Sequence, residues 1–115
     1  MEDKALILTK SYDLLKATIL LVGKFPRDQK FLIGDRMQKL AENTMEVLIK
    51  AYYTAPEKKT ALLQTVNIRL EKLRYYARLC FELGYYSSRK LEEYSERLRE
   101  TGRMTGGWLK SLQKK

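Results

Sequence analysis

The stretch LTKSYDLLKATILLVGKFPRD, residues 8–28, decides the fold class. Leu8, Tyr12, Leu15, Ile19 and Val22 follow one another at alternating spacings of four and three, the repeat of a single helix face. Gly23 then supplies a stop, Pro26 follows, and Asp28 is positioned to cap a second helix. One short stretch thus contains a helix, its end and the start of the next.

The same grammar continues along the chain. The second helix carries an apolar stripe of Ile33, Met37, Leu40, Ala41, Thr44, Leu48 and Ala51. TAPE at 54–57 ends it and opens a third, with Thr54 and Glu57 spaced as a capping box and Pro56 in the first turn, where its missing N–H is harmless. The third helix buries Leu62, Val66, Leu70, Leu73, Ala77 and Cys80 and stops at Gly84. The serines at 87–88 offer caps for a fourth, with Leu91, Tyr94, Leu98, Thr101, Trp108 and Leu112 on its inner face. Short connections make sequential helices antiparallel, so residues 1–115 are expected to form one all-α domain, an up-down-up-down four-helix bundle.

These stripes do not consume the apolar residues. Ile7, Leu14 and Leu21 form a second series on helix 1, and Ile68, Tyr75, Leu79 and Tyr86 lie roughly opposite the core face of helix 3. A surface helix of a monomer needs one stripe, and two imply a further partner surface or cover by loops and chain ends. Because the loops are short, self-association is the expected use. Ile7, Leu14, Leu21, Ile68, Tyr75, Leu79 and Trp108 are the candidate oligomer contacts.

Composition narrows the chemistry. There is no histidine and only one cysteine, which excludes a Ser-His-Asp triad, a histidine general base, a structural zinc site and an internal disulfide. Inward Glu-x-x-His pairs, the usual ligands of a di-metal bundle, are missing too. Cys80 falls in the core series and reads as a small buried hydrophobe rather than a nucleophile. Neither catalysis, nor a metal, nor another cofactor is expected. MEDKALILTK lacks the layout of a signal peptide, and the run ATILLV at 17–22 is too short to span a bilayer. The expected setting is a reduced cytoplasm, away from membranes.

Charge points to a partner. The 23 Lys and Arg outnumber 14 Asp and Glu, a formal net of +9, and residues 57–115 hold 14 of those cations against seven acids. Such a balance suits a polyanion, or an acidic protein or membrane surface, although a solvated lysine-rich face would also give it. Arg74 and Arg78 share one flank of helix 3, while Arg69 and Lys72 lie on the other near Tyr76. Arg89, Lys90 and Arg97 follow on helix 4, among Glu92, Glu93, Glu96 and Glu100. These seven cations, interleaved with tyrosines, are the candidate nucleic-acid contacts. Their spacing matches no base-reading motif, so recognition by charge and shape is expected.

LTKSYDLL at 8–15, KFPRDQKFLIGDRMQ at 24–38, YYTA at 52–55 and GRMTGGWLKS at 102–111 together resemble the accessory variability determinant proteins of diversity-generating retroelements. A looser similarity joins the chain to four-helix proteins encoded by intervening sequences in bacterial ribosomal RNA genes, which suggests the alternative of a structural or RNA-binding role there. The first resemblance implies a bacterial or phage-encoded homopentamer shaped as a basic barrel. It implies association with the element's reverse transcriptase and with template-repeat and spacer RNA, in support of mutagenic cDNA synthesis, without catalysis. Thr105 departs from the resemblance, which leads one to expect a larger apolar residue there. Gly102 is expected to allow close backbone approach, and Gly106–Gly107 to break or kink helix 4 so that Trp108 anchors on a neighbouring surface, within the subunit or across it. Gly34, beside the core stripe, is expected to allow close helix packing, and Asp35 with Lys39 to form an i,i+4 pair. Arg27, Lys30 and Arg36 are either structural or partner-facing.

Overall fold

Four long helices and one single turn make up residues 4–113, which the computed structural model describes, with no strand among them. They are α1 (Lys4–Val22), the turn α2 (Arg27–Lys30), α3 (Ile33–Tyr52), α4 (Pro56–Glu82) and α5 (Ser88–Gln113). Each long helix packs on two others, in the cyclic order α1, α3, α4, α5, so neighbours in sequence are neighbours in space around a square bundle. The bundle measures 48 × 23 × 19 Å.

Local chemistry sets the boundaries. After Val22 the N–H groups of Lys24 and Phe25 turn back to Leu21 and Val22 at 3.0 and 2.9 Å, and Pro26 starts α2. Asp28, expected to cap the long second helix, instead lies inside this extra turn. Because Pro26 fixes φ near −55°, the chain turns one residue early, bends at Phe31–Leu32, and only then enters α3. The expected capping box at 54–57 does not form either. Thr54 Oγ1 donates to the Lys50 carbonyl at 2.6 Å, closing α3, and Ala55 takes the N-cap position before Pro56.

α4 ends in a Schellman motif. Gly84 has φ +83°, the Tyr85 N–H reaches the Cys80 carbonyl at 3.0 Å, and the Gly84 N–H reaches Phe81 at 2.9 Å. Ser87 then caps α5, its Oγ accepting the Lys90 N–H at 3.2 Å.

The inner faces of α3 and α4 follow the expected stripes, with Met37, Ala41, Thr44, Leu48, Val66, Leu70, Leu73, Ala77 and Cys80 buried. Leu63, Met104 and Thr105 join them. Thr105 is accommodated by donating its hydroxyl to the Thr101 carbonyl at 2.8 Å.

α1 requires a correction. Its core series is Ile7, Ser11, Leu14, Thr18 and Leu21 with Val22, whereas Tyr12 and Ile19 are exposed and Leu8 and Leu15 half-buried. Ile7, Leu14 and Leu21 are therefore interior to the subunit and not a spare face. Both heptad phases of α1 are apolar, and the choice between them is made by Ser11 and Thr18. Their hydroxyls bond the Leu8 and Leu14 carbonyls at 2.8 and 2.7 Å, which satisfies them without water and lets the helices close up.

α5 requires another. It runs unbroken through Gly106 and Gly107 to Gln113. Packing of Thr105, Trp108, Leu109 and Leu112 on either side outweighs a helix penalty of about 1 kcal/mol per glycine. Trp108 is buried within its own subunit, with the Lys59 ammonium 5.2 Å from the ring centroid.

Candidate nucleic-acid and partner surface

The long helices present their charges in grooves between neighbours. Between α4 and α5 the groove is lined by Asn67, Leu70, Glu71, Arg74, Arg99, Gly102 and Arg103. The residue spacing explains the set: Arg74 lies four residues beyond Leu70, and Arg99 and Arg103 are four apart along α5. Gly102 forms the floor, and no close approach inside the chain requires it. A Cβ there would meet only Leu70 Cδ1, at an ordinary 3.7 Å. Three arginines thus converge on a shallow, glycine-floored channel.

Two of the three are held by carboxylates on their own helix. Arg74 Nη1 donates to Glu71 Oε1 at 2.7 Å, and Arg99 pairs with Glu96. The Arg99 hydrogen bond and charge, with a smaller contribution from Arg103, hold the Glu96 carboxyl below its ordinary range. These pairs are exposed, so each contributes little to stability.

On the opposite side of α5, toward α1, Lys24, Arg89, Lys90 and Arg97 alternate with Glu92, Glu93, Glu96 and Glu100. Arg89 and Lys90 share Glu93 at 3.5 and 3.8 Å, and Glu100 reaches across to Lys10 at 3.1 Å.

The seven cations singled out from sequence therefore separate. Arg74 lies in the α4/α5 groove; Arg89, Lys90 and Arg97 line the α1/α5 groove. Lys72 lies with Tyr75 and Tyr76 in the α3/α4 groove, and Arg78 pairs with Glu82 at 3.1 Å on the outside of α4. Arg69 is half-buried, its Nη1 without a hydrogen-bond acceptor, and belongs to the packing between helices more than to the surface. Arg99 and Arg103 are the two arginines of the α4/α5 groove that lie outside that set of seven. Their four-residue spacing was the available signal. Lys114 and Lys115 lie outside the described residues.

The apolar surplus is also redistributed. Of the candidate oligomer contacts, Ile68, Tyr75 and Leu79 are exposed and line the α3/α4 groove over Leu40 and Tyr76, with Arg36, Lys39 and Lys72 at its edge. A second apolar face lies between α1 and α3. By the 100° advance per residue, Tyr12 and Ile19 lie on the flank of α1 away from the α5 groove, and Ile49 and Tyr52 on the flank of α3 facing it.

Two buried titratable groups are held neutral by the core. The Cys80 thiol is buried, and desolvation pushes its pKa up to about 11, away from the thiolate a nucleophile needs. Tyr94 is likewise held neutral by burial, with Thr18 Oγ1 2.7 Å from its hydroxyl. Among the described residues no group of three or more Asp, Glu or Cys is placed to hold a metal, and no helix is long and apolar enough to cross a membrane.

The sequence matches the model of the bAvd-like family over residues 5–112. The chain belongs to that family. bAvd is the accessory variability determinant protein of diversity-generating retroelements, so the family is one of accessory proteins and not a known catalytic one. A search of curated proteins finds no match. For this bAvd-like chain the matched span runs from the first described turn of α1 to the end of α5, covering both charged grooves and both apolar faces.

Proposed function

We propose that the chain is the non-catalytic accessory factor of a diversity-generating retroelement, binding its reverse transcriptase and its template-repeat and spacer RNA during mutagenic cDNA synthesis. Family membership supports the setting, and the arginine groove of Arg74, Arg99 and Arg103 carries the nucleic-acid half of the reading. An open channel with three guanidinium groups fits a phosphate backbone, which needs positive charge and access but no base-edge geometry.

The working form is a homo-oligomer, a pentamer by family resemblance. Two observations support self-association. The chain keeps two exposed apolar faces, and they differ: Tyr12, Ile19, Ile49 and Tyr52 form one, Ile68, Tyr75 and Leu79 the other. A contact between unlike faces is heterologous. Contacts between unlike faces generate a ring when the repeated rotation closes, and adjacent faces of a bundle supply a turn of that kind.

The test is co-purification with the reverse transcriptase of the same element, after nuclease treatment and in high salt, beside RNA affinity measured across a salt series. Retention of the enzyme together with RNA affinity that falls steeply with salt is the expected result. Absence of reverse transcriptase at low salt refutes the reading.

A further inference from the structure

The segment Lys24–Arg36 is built more firmly than a plain connection requires. Phe25 is buried, with its ring centroid 5.2 Å from that of Tyr85 and 6.1 Å from that of Tyr86. Gly34 packs so closely under the segment that a Cβ would lie 2.6 Å from Val22 Cγ1 and 3.5 Å from Phe25 Cδ2. The α1–α3 connection is thereby pinned to the α4–α5 connection, and both form one end of the bundle.

On that pinned frame the next apolar residues face outward. Phe31 is 77% exposed and Leu32 58%, and Leu83, which ends α4 at the same end, is 53% exposed. Held neighbours on both sides mean that this display is a feature of the fold and not fraying. Arg27 and Lys30 precede it in α2, Lys24 and Arg36 stand at the two ends of the segment, and none of the four forms an ion pair among the described residues. Of the two acids in the segment, Asp35 is engaged by Lys39 at 3.3 Å, and Asp28, exposed in α2, leaves the cations in excess.

We infer that this end of the bundle is a protein-docking tip that takes an acidic, apolar segment of a partner protein. Phe31 and Leu32 are the anchors it buries, and Lys24, Arg27 and Lys30 are the rim that selects its charge. The inference rests on the proposed function, in which the partner is the reverse transcriptase. An apolar centre with an unpaired cationic rim complements acid, so a second copy meeting tip to tip would oppose cation to cation. Nucleic acid is the poorer fit. Phe31 is a single exposed ring, Leu32 and Leu83 beside it offer no face for the next base to stack on, and Phe25 and Tyr85 spend their rings on each other.

The test compares the wild-type chain, Phe31→Ser/Leu32→Ser and Arg27→Glu/Lys30→Glu, each measured for reverse transcriptase binding, RNA affinity and oligomeric state. Both pairs are on the surface, so thermal stability is the internal control. The serine pair is expected to weaken the enzyme by about 30-fold or more, with RNA affinity and oligomeric state unchanged. The charge reversal is expected to slow association and to lose its effect in high salt. Reverse transcriptase binding that survives both variants at wild-type strength overturns the tip alone. Loss of RNA with the enzyme retained would make the tip a nucleic-acid contact, and a changed oligomeric state would make it a self-contact; either overturns the inference. A wild-type chain that fails to hold the enzyme refutes the proposed function itself.

Discussion

Gly34→Ala and Gly102→Ala are expected to change stability in opposite directions. At position 34 the added Cβ would lie 2.6 Å from Val22 Cγ1 and 3.2 Å from the Gln29 carbonyl oxygen. Carbon atoms rest at about 3.5–4.0 Å, so Val22 would have to retreat by roughly an ångström. Val22 is 4% exposed and β-branched, with one favoured rotamer on a helix, and Phe25 behind it is fixed against Tyr85. The Gln29 oxygen belongs to the backbone. Overpacking of this kind costs about 1–3 kcal/mol. Alanine recovers only part of its propensity advantage of about 1 kcal/mol, because Gly34 is the second residue of α3. The expected net loss is about 1–2 kcal/mol, a fall in Tm of roughly 4–8 °C.

Gly102 reverses the sign. Its added Cβ meets only Leu70 Cδ1 at 3.7 Å, and at Gly106 nothing lies within 4 Å. Both are interior to α5, so each alanine should gain up to about 1 kcal/mol. Urea and thermal unfolding followed by circular dichroism, at one fixed protein concentration so that assembly does not shift the midpoint, measures all three. Val22→Ala supplies a further check: in that background Gly34→Ala should cost less than in the wild type. A Gly34→Ala chain as stable as wild type, or a Gly102→Ala chain less stable, would refute the assignment of sign by contacts within the chain.

Three further outcomes are expected. Trp108→Ala should lose about 3–5 kcal/mol, measured by urea unfolding, since the ring is 1% exposed and its removal leaves a large void. Tyr94→Phe should lose only about 1 kcal/mol by the same measurement, because Thr18 Oγ1 keeps its 2.7 Å bond to the Leu14 carbonyl when the tyrosine hydroxyl goes. Stability should also fall as pH rises from 9 towards about 11. Burial raises the folded-state pKa of Cys80 from 9.0 to about 11, so the unfolded chain releases its proton first and the contribution present below pH 9 is lost across that window. Unfolding free energies at pH 8, 9, 10 and 11 should show a shallower decline in Cys80→Ala, and an unchanged slope would remove Cys80 from the account.

How much of this was readable in the sequence depends on what each position asks of its side chain. On α3 and α4 the stripe that spacing picks out is also the one that packs, so Met37, Leu48, Val66 and Leu73 are where spacing puts them, and the second series of α4 stays on the surface. α1 carries two, and the richer-looking one lost. Ser11 and Thr18 mark the true core, because a hydroxyl that can bond a carbonyl three or four residues back is small and self-satisfied, yet its letter reads as polar. Gly34 was legible because a glycine beside a core stripe has few other uses. Gly106 and Gly107 misled for the converse reason: intrinsic propensity is worth less than the burial of Trp108 and its neighbours. For the charged surface, sequence shows the excess of cations but not their pairing. Rotamers and groove walls decide that Arg89 takes Glu93 while Arg103, beside Gly102, forms no salt bridge among the described residues.

That pairing bears on the proposed RNA contact in a way that a count of charges does not. Arg74 and Arg99 are engaged by Glu71 and Glu96, which at first sight removes two of the groove's three arginines from use. Both pairs are largely solvent-exposed, and such pairs contribute from nothing to about 1 kcal/mol, so releasing an arginine to a phosphate costs little. Contact with a phosphate, in contrast, expels condensed counterions, a gain that grows as salt is lowered. The glutamates therefore do not compete seriously with a polyanion for these arginines. Gly102 fits the same logic. A glycine in mid-helix with no contact inside the chain to justify it sits beneath these guanidinium groups, where a side chain would narrow the approach of a phosphate backbone. On the proposed reading its lost helix propensity, like the weakness of the pairs above it, is stability exchanged for access.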